Sequence, residues 1–398
     1  MDFLSRTFRP RSHAMLLLGL ALVAPADSSG QRYSMTDPNA AFPEGLSSVA
    51  GLRELSDGRV IVSDRLGQAV IIIDFDAITA DTIGRTGGGP GEYRVPGPLF
   101  PWRGDSTIMI DLGNTRFTMI GPDGGFGSSK PLMTQDGDMM RFVMPAGTDR
   151  HGNIYFQARS FGLQEPGTTG PPDSALIARW NLDSDIIDTV VAVKTAATRM
   201  RTGGGNVAVT SIPFSPQDDW AVAWDGRVAV ARGADFHVEW YGLDGAVVRG
   251  PRIAYDPVKI TQADKDAWLE ARANPQAGAV FIAIDGGGGT RATTPSRPAR
   301  FEGAQIDDDD WPEVKPAFPA GGVTVTPEGS VWVRRHVKIG SPPEYDVFDG
   351  QGRPIQTVVL PAGEQVVGFG SGVVFVARSD EFDLQWLERY ERVWLNRR

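Results

Sequence analysis

The sequence predicts an all-β chain, a six-bladed β-propeller with four-stranded blades, and three observations carry that reading. Turn-forming residues are abundant, with 48 Gly and 29 Pro in 398 residues, which suits many short strands better than long helices. A strand–turn–strand unit recurs along the chain, its second strand starting at Val60, Ile108, Ile154, Val228, Val331 and Val373. The intervals are 48, 46, 74, 103 and 42 residues, so three match one blade and two match a blade plus an insertion.

The units follow in order. The first has an apolar strand over 49–55, the turn Ser56-Asp57-Gly58, then strands over 59–64 and 69–75. The second has Gly104-Asp105, strands over 107–112 and 116–121, and the turn Pro122-Asp123-Gly124. In the third, His151-Gly152 leads into 153–158, and 175–182 follows a longer loop. The fourth pairs 227–232 with 236–245, the fifth 330–335 with 344–352, and the sixth 373–378 with 384–392. Alternation in segments such as 330–334 fits sheets packed face to face, and turn glycines supply positive φ. The last unit shows three strands, so the N-terminal segment 31–37 is expected to add the fourth and close the ring.

Residues 1–26 read as a secretory signal peptide, with Arg6, Arg9 and Arg11 ahead of the apolar run 14–24 and small residues at Ala24 and Ala26. An apolar run of 11 residues falls short of the roughly 20 that span a bilayer, so no membrane span is expected after cleavage. Cleavage near Ala26 would remove three Arg and one Asp and take the net charge from −10 to −12. The expected location is periplasmic or extracellular, with 27–398 as the propeller. A chain without Cys carries neither disulfides nor a cysteine-linked lipid, and its acidic balance speaks against nucleic-acid partners.

At the junction of the first two units the chain reads Ile83-Gly84-Arg85-Thr86-Gly87-Gly88-Gly89-Pro90-Gly91-Glu92-Tyr93, and later Asp111-Leu112-Gly113-Asn114-Thr115-Arg116-Phe117. These residues resemble the NHL-repeat pattern, a glycine-rich loop before one strand and D-x-x-N-x-R after the next. The resemblance implies an exported bacterial six-bladed propeller. Unit one departs from it, with Asp64-Arg65-Leu66-Gly67-Gln68 where Asn-x-Arg is expected, and units three to six lose the signature. The glycine runs lack a following helix and Lys-Ser/Thr, so they are read as structural rather than phosphate-binding.

In a propeller blade with strands A (innermost) to D, B–C turns and D–A crossings share one face. The long segments 159–173, 194–215, 256–317 and 336–343 all belong to that face, which makes it the expected binding face. Insertion 256–317 carries one expected helix, opened by Thr261 and Asp264 as a capping box, with Ala263, Ala267, Trp268 and Ala271 on one side. The run Asp307-Asp308-Asp309-Asp310 is read as a solvated loop.

Arg65, Arg159, Arg232, Arg335 and Arg378 recur at the ends of second strands in five blades, where guanidinium groups would attract a carboxylate, phosphate or acidic peptide. His336 is the histidine to test as an acid or base, while His151 and His237 read as turn and packing residues. A zinc set of His and Cys and a G-x-S-x-G nucleophile are lacking. The expected function is a non-enzymatic scaffold that binds a peptide, glycan or partner protein. The alternative is a metal-dependent propeller hydrolase or lyase with one divalent cation, such as Ca²⁺, in the central channel. Asp64, Asp111, Asn114 and Asp380 are its candidate ligands, and capping of their own turns is the competing role.

Overall fold

The structure, a computed structural model, describes residues 31–136, 139–158, 173–203, 206–273, 282–284, 290–292 and 306–392. Residues 1–26, expected to be a signal peptide, and Arg159 lie outside the described residues, as does most of the middle of insertion 256–317.

Six sheets form the blades. Blade one contains Val49–Glu54, Val60–Asp64, Ala69–Asp74 and Thr79–Ile83, and blade two Pro96–Pro101, Thr107–Asp111, Arg116–Ile120 and Phe126–Pro131. Blade three contains Gly147–Thr148, Asn153–Ala158, Ser174–Asn181 and Ile186–Lys194, and blade four Asp219–Val222, Val228–Arg232, His237–Tyr241 and Val247–Arg249. Blade five contains Val323–Val325, Val331–Arg334, Glu344–Phe348 and Pro354–Val359, and blade six Glu364–Gly370, Val373–Ser379 and Gln385–Glu391. Within each blade these strands pair antiparallel in chain order.

Closure comes from the N-terminal segment, with a shift from the expected residues. Ala40–Ala41 pairs antiparallel with the third strand of blade six and supplies its fourth strand, and Leu46 bridges to Gln385. Gln31–Ser34, within the expected closing segment, instead lies parallel along Pro354–Val359 as a fifth strand of blade five. Arg32 fixes it there through a two-pronged bond to Glu344.

The core is six apolar layers, one between each pair of neighbouring blades. Val60 and Val62 face Phe375 and Leu387 of blade six, whereas Ile61 faces Leu99 and Met109 of blade two. Trp332 likewise packs toward Val374 and Val376 of blade six, and Val331 and Val333 toward Ala229 and Trp240 of blade four. The second strands are therefore covered on both sides and read as continuous apolar runs such as Val-Trp-Val, not as a half-solvated alternation. At the hub the inner strands approach closely. A Cβ on Gly51 would stand 2.6 Å from the Leu99 amide nitrogen, and one on Gly368 would stand 2.8 Å from Leu52 Cδ2. Only glycine permits that approach.

The expected helix forms over Gln262–Ala273. Its capping box is present, with Asp264 accepting from the Thr261 amide and hydroxyl at 2.9 and 2.7 Å. Its predicted apolar side is not its anchor: Ala263, Ala267 and Ala271 are exposed. The helix is held by the buried ion pair of Asp264 with Lys315 at 2.6 Å and by Trp268 edge-on to Trp311. Two residues of the acidic run are also structural, because Asp310 is buried, pairs with Arg199, and forms a capping box with Asp307.

Candidate functional site

The site begins with the innermost strands. Each first strand ends its sheet, so its inner edge has no ladder partner among the described residues and presents backbone N–H and C=O groups to the axis. These strands surround a cavity of about 690 Å³ lined by residues of all six blades. Its lining extends through the turns between first and second strands, at Ser56, Trp102, Asp105, Trp224, Pro327 and Ser371. The mouth therefore lies on the short-turn face, at the opposite end of the channel from the expected loop-bearing face.

The mouth is stiffened by turn-to-turn bonds that run round the whole ring. Blade one donates to blade two through Arg53 and Ser56, both to the Asp105 carboxylate. Arg103 of blade two donates to the His151 carbonyl and pairs with Asp183, both of blade three. The Arg150 amide and Tyr155 hydroxyl of blade three donate to the Trp224 and Gly226 carbonyls of blade four. Trp240 Nε1 of blade four donates to the Asp349 carbonyl of blade five at 3.2 Å. Arg392 and the Gly372 amide of blade six donate to Glu328 of blade five. The Ser371 amide closes the circle on Glu54 of blade one at 2.6 Å.

Inside this ring the wall is apolar and aromatic, with Phe100, Trp102, Trp220, Trp224 and Phe369 among its residues. Two carboxyls share it. Burial raises the Glu54 carboxyl above its ordinary value, against the Ser371 amide that favours its charged form. Burial would also raise Asp105, but the bonds from Ser56 and Arg53 outweigh it and hold that carboxyl below its ordinary value. A Ca²⁺ ion needs six to eight oxygen ligands. Glu54 and Asp105 are engaged by these donors, and among the described residues no group of three or more His, Asp or Glu is placed to hold a metal. Among the described residues the channel thus offers the expected cation no cluster of carboxylates.

The four residues weighed as ligands cap turns outside the cavity lining. Asp64 accepts from the amides of Ser47, Ser48 and Gly67 at 2.7, 2.8 and 2.9 Å. Asp111, fully buried, accepts from the Arg94 amide at 3.1 Å and from Asn114 Nδ2 at 2.6 Å. Asn114 also donates to the Gly87 carbonyl at 2.8 Å, and Arg116 donates to the carbonyls of Gly88, Gly89 and Glu92. The NHL-like residues thus hold the glycine-rich crossing between blades one and two. Asp380 accepts from the Phe382 and Leu384 amides and from Trp386 Nε1.

The described arginine series lies on the loop-bearing face, and three of its members pair with a carboxylate on the third strand of their own blade. Arg232 binds Glu239 and Asp218, each at 2.7 Å, Arg335 binds Asp346 at 2.7 Å, and Arg378 binds Glu388 at 3.2 Å. Arg65 is half-buried, and its amide donates to the Ser48 carbonyl. Arg335 and His336 share a second cavity of about 530 Å³ with Tyr255, Lys338 and Glu344. His336 Nδ1 lies 2.9 Å from the Pro316 carbonyl, and the ring packs edge-on against Phe214. Burial holds its imidazole below the ordinary histidine value, so it is neutral near pH 7.

The sequence reading did not single out the channel aromatics. The signal was present: aligning the units on their turns sets Trp102 level with Leu55, Asp149, Ala223 and Thr326, each of which donates its amide across the same type of turn. Trp224 follows one residue after Ala223.

No family model matches the chain, and the comparison with curated proteins gives no match. Among solved structures, a DUF4221-family protein from Bacteroides vulgatus is 9% identical, with 89% of this chain and 97% of that chain covered at a TM-score of 0.50. A candidate exported protein from Bacteroides fragilis is 12% identical, covering 93% and 97% at a TM-score of 0.43. A gluconolactonase from Xanthomonas campestris is 11% identical, covering 89% and 95% at a TM-score of 0.40. At 9% identity the likeness to the first of these is one of fold alone.

Proposed function

We propose that this chain is an exported binding propeller whose ligand seats in the channel mouth on the short-turn face. The observation that carries the reading is the cavity of about 690 Å³, where aromatic walls meet the inner strand edges that have no ladder partner among the described residues. Such a lining suits a ligand with a flat apolar face and polar edges, which a sugar ring or an aromatic peptide side chain supplies. The turn-to-turn ring holds the seat in shape before binding, which lowers the ordering cost. Export rests on the leader read in residues 1–26, and no helix among the described residues is long and apolar enough to cross a membrane. Weighing against the hydrolase or lyase alternative are the turn-capping bonds that engage Asp64, Asp111, Asn114 and Asp380, its candidate ligands.

The test is titration with neutral oligosaccharides and with short aromatic peptides, followed by tryptophan fluorescence and calorimetry. Binding is expected to quench the signal and to weaken by about tenfold or more in Trp224→Ala or Trp102→Ala, the loss of one stacked partner. Binding that is indifferent to both substitutions would remove the channel from consideration.

A further inference from the structure

We propose that an open groove on the loop-bearing face of blade four is an oxyanion site, taking a carboxylate or phosphate group between Arg249 and Arg252. The groove has a volume of about 490 Å³, and Arg232, His237, Arg249 and Arg252 line it together with Asp235 and Glu239. Three guanidinium groups thus face one groove in a chain of net charge −10, a local reversal of sign.

The groove has a fixed floor and an unspent rim. In the floor, Glu239 is buried and receives Arg232 Nε at 2.7 Å, the Tyr241 hydroxyl at 2.8 Å and Arg249 Nε, with His237 Nε2 3.2 Å away. Those contacts use about the full accepting capacity of a carboxylate. Arg232 is largely engaged as well, with further bonds to Asp218 at 2.7 Å, the Ala192 carbonyl at 3.1 Å and the Tyr241 hydroxyl at 2.6 Å. The member of the arginine series in this groove is therefore a positioning residue, and it orients the carboxylate that anchors Arg249.

The rim differs. Arg249 is 69% exposed, and its hydrogen bond among the described residues is made through Nε, which leaves both Nη groups for another acceptor. Arg252 is 72% exposed and is gripped by Asp235 through Nε and Nη2 at 3.0 and 2.7 Å, which leaves Nη1. Each guanidinium is held along one edge by a carboxylate while its other donors remain for a guest. Anchoring removes part of the rotamer entropy that an unrestrained arginine loses on binding, and planar donor forks match the geometry of carboxylate and phosphate oxygens. This groove is separate from the channel mouth and does not depend on the channel reading.

The test uses inorganic phosphate and glucuronate as two probes, titrated by calorimetry at low ionic strength into the full mature chain. Saturable binding of either is expected, and the probe that binds tells phosphate from carboxylate recognition. The double variant Arg249→Gln, Arg252→Gln is expected to weaken binding by about tenfold or more, through loss of two charge-assisted donors. Arg249 also donates to the buried Glu239, so Arg252→Gln alone, whose partner Asp235 is partly exposed, is the variant that should keep the parent's melting temperature and still weaken binding. Arg32→Gln, which removes an exposed arginine from blade five, serves as the control for general charge and should leave binding unchanged. Absence of saturable binding by both probes, or equal affinity in the double variant, would overturn the assignment.

Discussion

Replacing Glu364 by Gln should stabilise the protein above neutral pH and leave it unchanged in acid. Glu364 opens the inner strand of blade six and is 5% exposed. Burial, reinforced by the negative charge of Glu388, raises its carboxyl from 4.5 to about 7, although Tyr390 and Arg378 favour the charged form. The Tyr390 hydroxyl lies 3.4 Å from Glu364 and 3.0 Å from Glu388, so one donor serves two carboxyls. The folded-state value lies above the unfolded one, so between about pH 4.5 and 7 the folded protein retains a proton that the unfolded chain releases. Stability is therefore lost as pH rises through that window, and the loss is complete above it. Each tenfold change in proton affinity is worth about 1.4 kcal/mol, so the rise sets an upper bound of roughly 3.5 kcal/mol, and solvent screening at the strand end lowers the opposition of the ionised carboxylate to folding to roughly 1–3 kcal/mol. Gln keeps the volume and removes the charge. Thermal and guanidinium unfolding of the two proteins at a series of pH values is the assay. The variant should gain roughly 1–3 kcal/mol at pH 8 and show no gain near pH 4.5. A difference that does not change with pH, or a variant weaker at pH 8, would refute the argument.

Arg392→Ala should cost about 2–4 kcal/mol in unfolding experiments, because the buried guanidinium joins Glu328 of blade five to the Val373 and Gly370 carbonyls of blade six. Asn114→Ala should cost about 1–2 kcal/mol and speed proteolysis within residues 84–93, since it frees the Gly87 carbonyl and leaves Asp111 with one fewer donor. Truncation to residue 36 should leave a folded ring, whereas truncation to residue 47 removes the clasp and the buried side chains of Phe42 and Leu46, at a cost of at least about 4 kcal/mol by calorimetry. In an NMR titration His336 should gain its second proton at a pH below the ordinary 6.5, and a midpoint at or above that value would show that its burial is not maintained in solution.

Much of the fold was legible because blade strands announce themselves locally. Runs such as Val60-Ile61-Val62 and Val331-Trp332-Val333, set between turn residues at near-regular intervals, specify both the strands and their number. The capping box at Thr261 and Asp264 was readable for the same reason, since its partners lie three residues apart. The roles of Asp64, Asp111 and Asp380 were half legible: an Asp beside a turn either caps the turn or binds a ligand, and only the positions of the neighbouring amides decide. The arginine series was legible as a pattern but not as a function, because the acids that neutralise Arg232, Arg335 and Arg378 stand on the next strand across a turn of variable length.

By itself the sequence determined the strands, their repeat, and the placing of long connections on one face, for these follow from side-chain period and turn chemistry over a few residues. The tertiary structure decided which short segment closes the ring, that Gln31–Ser34 lies along blade five, and that the cavity lined by all six blades opens among the short turns. Those outcomes depend on edges and side chains brought together from distant parts of the chain. Ala40–Ala41 has no periodicity to betray it, and Trp102 and Trp224 become neighbours of one cavity only when six sheets surround a common axis.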